Sequence, residues 1–179
     1  MVGANLARMV STSVWLRPVA EEDLPLLRRF MVEPELLGLD WSGFVDAGTV
    51  RREFSANGFL GNDHGLLIVA ADGEAAGHVS WRPVQHGGGG RCWGMGIALV
   101  PEWRGRGVGW RAHRALCDYL FAQSPVDRIE AGTRADNHAE QRALERAGFT
   151  REGVLRSAQF SHGAWHDLVV YSRLRQDPD

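Results

Sequence analysis

The spacing of apolar positions along the chain predicts a regular succession of short strands and helices. The strongest helical pattern lies in Gly107–Gln123, where Val108, Ala112 and Leu116 recur every four residues. Short apolar runs bounded by glycine, proline or aspartate predict strands instead, and Asp72-Gly73 predicts a hairpin turn between two of them. The predicted strands are Val14–Pro18, His64–Ala71, Ala75–Val84, Arg91–Val100, Arg128–Arg134, Phe149–Arg156 and Trp165–Leu174, and the predicted helices are Glu21–Met31, Val45–Asn57, Gly107–Gln123 and His138–Ala147.

The order of these elements, β-α-α-β-β-β-α-β-α-β-β, predicts one α/β (or α+β) domain. Its mixed sheet would have six to seven strands, with about four helices on its faces. A chain of 179 residues is long enough for a single large core. We expect the domain to span residues 13–175, with a flexible segment at 1–12 and a short tail at 176–179.

The composition excludes some classes of protein but does not identify one. The net charge is −2, which disfavours a nucleic-acid binder that relies on bulk positive charge. The chain has no lysine, so Schiff-base chemistry and a lysine phosphate loop are both excluded. Cys92 and Cys117 stand alone, and no apolar run is long enough to span a membrane. We therefore expect a cytoplasmic location.

Three alternating glycines mark the most informative stretch of the chain. Gly105, Gly107 and Gly109 follow a predicted strand and open the strongest predicted helix. Free N–H groups and the dipole at a helix start favour an anion, and glycines allow close approach to the backbone. Arg104 and Arg106 would add positive charge at the rim. A dinucleotide-binding fingerprint would need a glycine in place of Trp110, and a glycine-rich turn without a ligand is the remaining alternative.

Two ordered motifs resemble those of a known superfamily. The spacing Arg104-x-x-Gly107-x-Gly109 matches the coenzyme A signature of the GNAT superfamily of N-acetyltransferases. Downstream, Asn137 precedes a predicted helix that ends in Gly148-Phe149, as in the second motif of that family. Together with Leu16-Arg17-Pro18, these motifs resemble the RimJ/RimL-like branch over residues 14–174. The resemblance implies the GNAT fold, in which two central parallel strands splay apart.

The same resemblance implies a reaction and a cofactor. Acetyl-CoA would donate its acyl group to an amine of a protein N-terminus or a small molecule, by direct attack in a ternary complex. A succinyl donor stays open, a homodimer is expected, and a coenzyme A-binding module that has lost catalysis is the alternative function. By the resemblance and the glycine turn together, the residues that would hold acetyl-CoA are Leu99, Val100, Arg104, Gly105, Arg106, Gly107, Val108, Gly109, Trp110 and Asn137.

The catalytic positions depart from the family pattern. Leu144 stands where many members carry the tyrosine that protonates the leaving thiolate, and Glu140 stands where RimJ/RimL-like members often have serine. Glu140 is one catalytic candidate, and His78 is a candidate base on a strand expected to flank the acceptor. Because Arg142 and Arg146 would hold Glu140 in its charged form, we expect water to protonate the thiolate.

Aromatic and histidine side chains supply candidates for the acceptor wall. Each of these side chains could equally pack in the core or lie at the surface without contacting the acceptor. We expect His64, His86 and His113 to lie at the surface, and no spacing resembles a zinc site, so no metal is expected. The candidates for contact with the acceptor are Trp41, Trp81, His162 and Trp165.

Overall fold

A computed structural model describes residues 12–178, which contain one seven-stranded mixed sheet. The strands are β1 Val14–Arg17, β2 Gly65–Ala71, β3 Glu74–Gln85, β4 Arg91–Leu99, β5 Arg128–Arg134, β6 Thr150–Ser161 and β7 Ala164–Leu174. They lie in the order β1-β2-β3-β4-β5-β7-β6, and within this described sheet β4 and β5 pair in parallel whereas the other neighbouring pairs are antiparallel. Residues 1–11 of the predicted segment at 1–12, and residue 179 of the predicted tail at 176–179, lie outside the described residues.

Helices cover both faces of this sheet. The described part of the chain has five α-helices where the sequence predicted about four. They are α1 Leu24–Val32, α2 Pro34–Leu37, α3 Gly48–Asn57, α4 Val108–Gln123 and α5 His138–Arg146. Because side chains alternate along a strand, Ile68 packs with α1 and α3 on one face, whereas Leu67 and Val69 join α4 and α5 on the other.

Two tight hairpins join neighbouring antiparallel strands. Asp72 and Gly73 both have positive φ, at 49° and 93°, which suits the two-residue turn that the sequence predicted between β2 and β3. His162 and Gly163 form the corresponding turn between β6 and β7, with φ of 51° and 76°. Both strands of this second hairpin are longer than predicted, and β7 begins before Leu168, which pairs with the last residue of β5, so the tip extends past the end of β5.

The central parallel strands separate part of the way along. Three residue pairs join them: Trp93 with Ile129, Gly94 with Glu130, and Met95 with Ala131. Beyond Met95, β4 continues to Leu99 and β5 continues to Arg134 without pairing to one another. The predicted splay is therefore confirmed, and it leaves a wedge-shaped gap in the middle of the sheet.

Across residues 12–178, no helix combines the length and apolar character that a membrane crossing requires.

Candidate active site

The gap between β4 and β5 opens into a cleft of about 940 Å³. Its floor is made by Met95–Leu99 and Ala131–Thr133, the two stretches where the strands diverge. The turn after α2, the glycine-rich turn before α4, and the first two turns of α5 form its walls. A volume of this size is typical of a site for a cofactor or drug-sized ligand.

The glycine-rich turn delivers the start of α4 to one end of the cleft. Gly105 and Gly107 have φ of 71° and 75°, a left-handed backbone that other residues adopt at a cost. Gly107 is the residue that precedes α4, and a Cβ there would lie 2.7 Å from Nη1 of Arg111. Since the first turn of a helix has free N–H groups, this end of the cleft is suited to an anion.

Arg104 braces this turn. Its Nε donates to the carbonyl oxygen of Leu99 at 2.9 Å, and its Nη2 donates to that of Leu36 at 2.5 Å. Arg106 lies over the ring of Trp103, 5.2 Å from its centroid, and does not line the cleft. Neither guanidinium stands free at the rim as the sequence suggested, because each is engaged by neighbouring groups.

Two further positions from the sequence lie behind the cleft wall. The side chains of Val100 and Val108 are both buried in the core. The N–H of Val100 already donates to the carbonyl oxygen of Ala76 at 3.0 Å, so it is not available to a ligand. Val108, by contrast, is the first residue of α4, where a backbone N–H has no partner within the helix.

Trp110 forms part of the cleft wall between two arginines. The Cζ atoms of Arg111 and Arg146 lie 4.6 Å and 4.5 Å from its ring centroid, a cation–π arrangement on the indole. Its Nε1 is buried without a hydrogen-bond partner. Buried donors are normally paired, so this N–H indicates a place where a ligand acceptor would be favourable.

The other end of the cleft also offers polar groups. Asn137 precedes α5, and its Oδ1 accepts a hydrogen bond from the N–H of Glu140 at 3.2 Å. Thr133, on the part of β5 that is not paired with β4, has a buried hydroxyl without a hydrogen-bond partner. Thr133 was not among the candidates from the sequence. The signal that could have identified it is its position near the end of β5, where that strand separates from β4.

Glu140 points to a buried partner. Oε1 of Glu140 lies 2.6 Å from Nε2 of His113 on α4. His113 is fully buried, which corrects the expectation that it lies at the surface. Leu144 is also fully buried, packed with α4 in the core.

A second carboxylate faces the same cleft. Asp40 ends the short turn after α2 and lines the cavity. Neighbouring protein displaces water from it and so raises its pKa; a hydrogen bond from Gln159 opposes this, and the charge of Glu140 adds to it.

The acceptor candidates separate into three environments. Trp41 and His162 line a small groove of about 280 Å³ at the tip of the β6–β7 hairpin, beside Phe160. Trp165 is 64% exposed and makes an edge contact with the ring of Phe160, with ring centroids 5.4 Å apart, outside that groove. Trp81 is buried in the core and lies 5.7 Å from the ring of Tyr119, so its place on the acceptor wall is corrected.

His78 lies beside the cleft rather than in it. Its ring meets the edge of Phe30 at 4.9 Å, and its Nδ1 is buried without a partner. Burial lowers the pKa of His78 to about 4. The side chain is thus neutral at pH 7, but it is not among the residues that line the cavity.

Another cluster lies near the far end of β4 from the glycine-rich turn. Ligand atoms of His86, Cys92 and Glu130 come within 4.8 Å of one another. Arg128 donates from Nε to Oε1 of Glu130 at 2.6 Å, which places a cation where a metal ion would have to bind. The expected absence of a bound metal remains a prediction.

Comparison with known proteins agrees with this geometry. A sequence model described as "Acetyltransferase (GNAT) domain" matches residues 13–150. The protein named Probable N-acetyltransferase YjcK, from Bacillus subtilis (strain 168), is 32% identical over 65% of this chain and 64% of its own length. The Putative ribosomal N-acetyltransferase YdaF of the same organism is 31% identical over 46% of this chain and 45% of its own length, so these alignments span less than two thirds of either relative.

Solved structures share the fold over nearly the whole chain. RimL, a ribosomal L7/L12 acetyltransferase crystallised with coenzyme A, superposes with a TM-score of 0.74 at 23% identity, covering 92% of this chain and 96% of that one. The spermidine N-acetyltransferase of Vibrio cholerae, with coenzyme A and spermine, has a TM-score of 0.74 at 17% identity, covering 93% and 97%. The chain belongs to the GNAT family of acetyltransferases.

Proposed function

We propose that this protein is an acetyl-CoA-dependent N-acetyltransferase that acts on a primary amine of a protein N-terminus or a small molecule. The observation that carries the proposal is the gap between β4 and β5, which runs to the start of α4. One ligand would then have two different surroundings: unpaired strand backbone along its length, and a helix N-terminus at one end. An extended amide chain that carries a diphosphate matches both.

The residues fit such a co-substrate. Backbone from Gly96–Leu99 and Gly132–Thr133 is free of strand pairing on the cleft side and would bind the amides of the pantetheine arm. The turn through Gly105 and Gly107 would bind the diphosphate, and Asn137 would contact the arm. The unpartnered Nε1 of Trp110 and Oγ1 of Thr133 are additional donors. When bound, the co-substrate supplies an activated acyl group, most simply acetyl.

The cleft is lined by two carboxylates and by three arginines, Arg104, Arg142 and Arg146. Arg104 donates to backbone carbonyl groups and Arg146 lies over the ring of Trp110. Asp40 and Glu140 would attract a cationic acceptor locally, and the pKa of Asp40 is raised by loss of water and by the charge of Glu140. A free amine is protonated at neutral pH and must lose a proton before it can attack. Two carboxylates would therefore first attract an ammonium group and then help to deprotonate it.

The chemical class of the acceptor is inferred by analogy with similar proteins. The relatives and structural neighbours include enzymes named for ribosomal-protein serine and for spermidine. Trp41 and His162, in the groove at the hairpin tip, would contact the part of the acceptor that extends beyond the amine. We further propose a cytoplasmic enzyme that works as a homodimer.

The test combines binding with turnover. Calorimetry with coenzyme A and acetyl-CoA should show one site, and thiol release should follow when an amine panel is added. The panel contains peptides with free N-termini, a polyamine and an aminoglycoside, and mass spectrometry identifies the acetylated nitrogen. Binding without thiol release for every amine, including those in fractionated cell extract, would favour the coenzyme A-binding module instead.

A further inference from the structure

Glu140, which stands where the resembled family branch often has serine, is paired with His113 on α4. His113 lies on the inner side of α4, with its ring 6.3 Å from that of Phe149. Its side chain is 1% exposed, while that of Glu140 is 23% exposed. One member of the pair is thus sealed in the protein, and the other reaches the wall of the cleft.

The surroundings of His113 determine which of its nitrogens carries the proton. Nε2 lies 2.6 Å from the Glu140 carboxylate, whereas Nδ1 is buried and has no partner. A buried N–H without an acceptor is more costly than a buried lone pair on an imidazole, because a donor loses a strong hydrogen bond to water. The favoured arrangement therefore has a proton on Nε2, and this N–H donates to Oε1 of Glu140.

This arrangement fixes one carboxylate oxygen and leaves the other for chemistry. Glu140 is the third residue of α5, where a glutamate side chain often turns back to the N–H of the capping residue. Here the N–H of Asn137 donates to the carbonyl oxygen of Arg134 at 3.0 Å instead. The Glu140 side chain is thus released from the cap, and His113 orients it.

Other proton donors are scarce in the cleft. Both tyrosines lie elsewhere: the hydroxyl of Tyr171 donates to Glu145 at 3.0 Å in the core, and Tyr119 packs on Trp81. Among residues 12–178, the carboxylate side chains that line the cleft are those of Asp40 and Glu140, and no histidine, cysteine or tyrosine lines it. Asp40 belongs to the turn after α2, whereas Glu140 follows Asn137 on α5, on the side where the sequence motif places the pantetheine arm.

We propose that Glu140 is the catalytic proton shuttle of the acyl transfer and that His113 is its positioning residue. The ammonium group first releases one proton to solvent. As the neutral amine nitrogen then bonds to the acyl carbon and the carbon–sulfur bond breaks, Oε2 of Glu140 takes one proton from that nitrogen. The same proton then passes to the departing sulfur, so the carboxylate ends as it began. The products are the amide and the free thiol, and no further reactant is needed.

This inference rests on the proposed function and replaces the expectation that water alone protonates the thiolate. That expectation assumed that Arg142 and Arg146 reach Glu140. In the structure, the guanidinium of Arg146 lies over Trp110 and Glu140 contacts His113, while Arg142 lines the cleft as Glu140 does.

The main experiment compares matched variants in steady-state kinetics. Glu140→Gln should lower kcat by on the order of a hundredfold or more, the range expected for a positioned acid–base group. His113→Phe should lower kcat by about tenfold with an unchanged KM for acetyl-CoA, and His113→Gln, which retains an N–H, should recover part of the loss. The control is Glu53→Gln, since Glu53 and His64 form a similar 2.7 Å pair at the surface. The control should stay within twofold of the wild type.

Two further readouts separate chemistry from structure. With an amine that stays neutral above pH 5, the acid limb of kcat/KM should be present in the wild type and absent in Glu140→Gln. In the unaltered protein, ¹⁵N NMR of the imidazoles should show His113 with its proton on Nε2. A His113 proton on Nδ1, or a Glu140→Gln variant with more than half of the wild-type kcat, would overturn the inference.

The outcomes distinguish this inference from the proposed function. If the wild type neither binds acetyl-CoA nor releases thiol with any amine, the proposed function fails. If it does both and the Glu140 and His113 variants match Glu53→Gln, only the proton shuttle fails.

Discussion

The guanidinium of Arg104 donates from Nη2 to the carbonyl oxygen of Leu36, 2.5 Å away. This bond links the glycine-rich turn to α2 across the mouth of the cleft. The same side chain also donates to Leu99 at the end of β4, so one residue joins three segments of the wall. The shape of the diphosphate end and the position of the turn that carries Asp40 are therefore coupled.

The first prediction removes this link. Arg104→Lys keeps the charge but loses the planar group that makes both bonds. Hydrogen bonds from a charged donor are worth about 1.5–3 kcal/mol each, so the affinity for acetyl-CoA should fall roughly tenfold or more in calorimetry. The control is Arg51→Lys, on an exposed ion pair with Glu21, which should leave affinity unchanged. Equal affinities in the two variants would show that Arg104 is not a brace.

The second prediction concerns the left-handed backbone at Gly107. Gly107→Ala adds a Cβ at φ 75° and 2.7 Å from Nη1 of Arg111, next to the expected diphosphate. Gly73→Ala adds one at φ 93° with open space around it, and therefore measures backbone strain alone. Both should lose about 1–2 kcal/mol of stability, the usual cost of this conformation. Only Gly107→Ala should also lose affinity for coenzyme A, by tenfold or more in calorimetry.

The third prediction separates two roles of Asn137. Its Oδ1 caps α5, and its amide N–H₂ would contact the pantetheine arm. Asn137→Ala removes both and should cost about 1 kcal/mol of stability in urea unfolding. Asn137→Asp keeps the cap and should restore that stability. Turnover should nevertheless stay about tenfold below wild type in both variants, since a neutral hydrogen bond is worth about 0.5–1.5 kcal/mol.

The fourth prediction follows from the buried ring of His78. Its pKa is lowered to about 4 from an ordinary value of 6.5, because burial disfavours the charged form. Between these two pKa values, this histidine binds a proton in the unfolded chain but stays neutral in the native state. Stability therefore falls as the pH drops from 6.5 towards 4. The slope that this histidine contributes is at most about 1.4 kcal/mol per pH unit.

Urea unfolding at pH 7.5 and 5.5 tests this. His78→Gln should show a smaller loss of stability on acidification than the wild type does. The exposed His138 provides the control, and His138→Gln should retain the wild-type loss. A loss of equal size in all three proteins would contradict the prediction.

Features set by neighbouring residues were predictable from the sequence. The strand Arg128–Arg134 was predicted with its observed bounds, because Ser124-Pro125 and Asn137 limit it locally. The Asp72-Gly73 turn was predicted because few pairs of residues adopt two successive positive φ angles. The glycine-rich turn was likewise visible, since its conformation depends on its own glycines.

Features that depend on packing across the fold were not predictable in the same way. The sequence suggested that Trp81 could contact a ligand. A Cβ on Gly65 of β2 would lie 2.1 Å from the Trp81 ring, so the lack of a side chain at Gly65 makes room for that ring in the core. His113 lies three residues before Leu116 and four before Cys117, which places it on the buried side of α4. That spacing was present in the sequence, and the polarity of histidine concealed it.

The short contact between β4 and β5 also bears on how the sheet can move. Three residue pairs connect a four-stranded leaf, β1 to β4, with a three-stranded leaf, β5, β7 and β6. Few backbone hydrogen bonds join the two leaves at this seam, so the leaves are held together there mainly by the core that they share. A ligand seated in the gap would supply the missing cross-links and stiffen the sheet. The unliganded protein should therefore exchange amide hydrogens fastest along this seam, and slow exchange there would report occupancy directly.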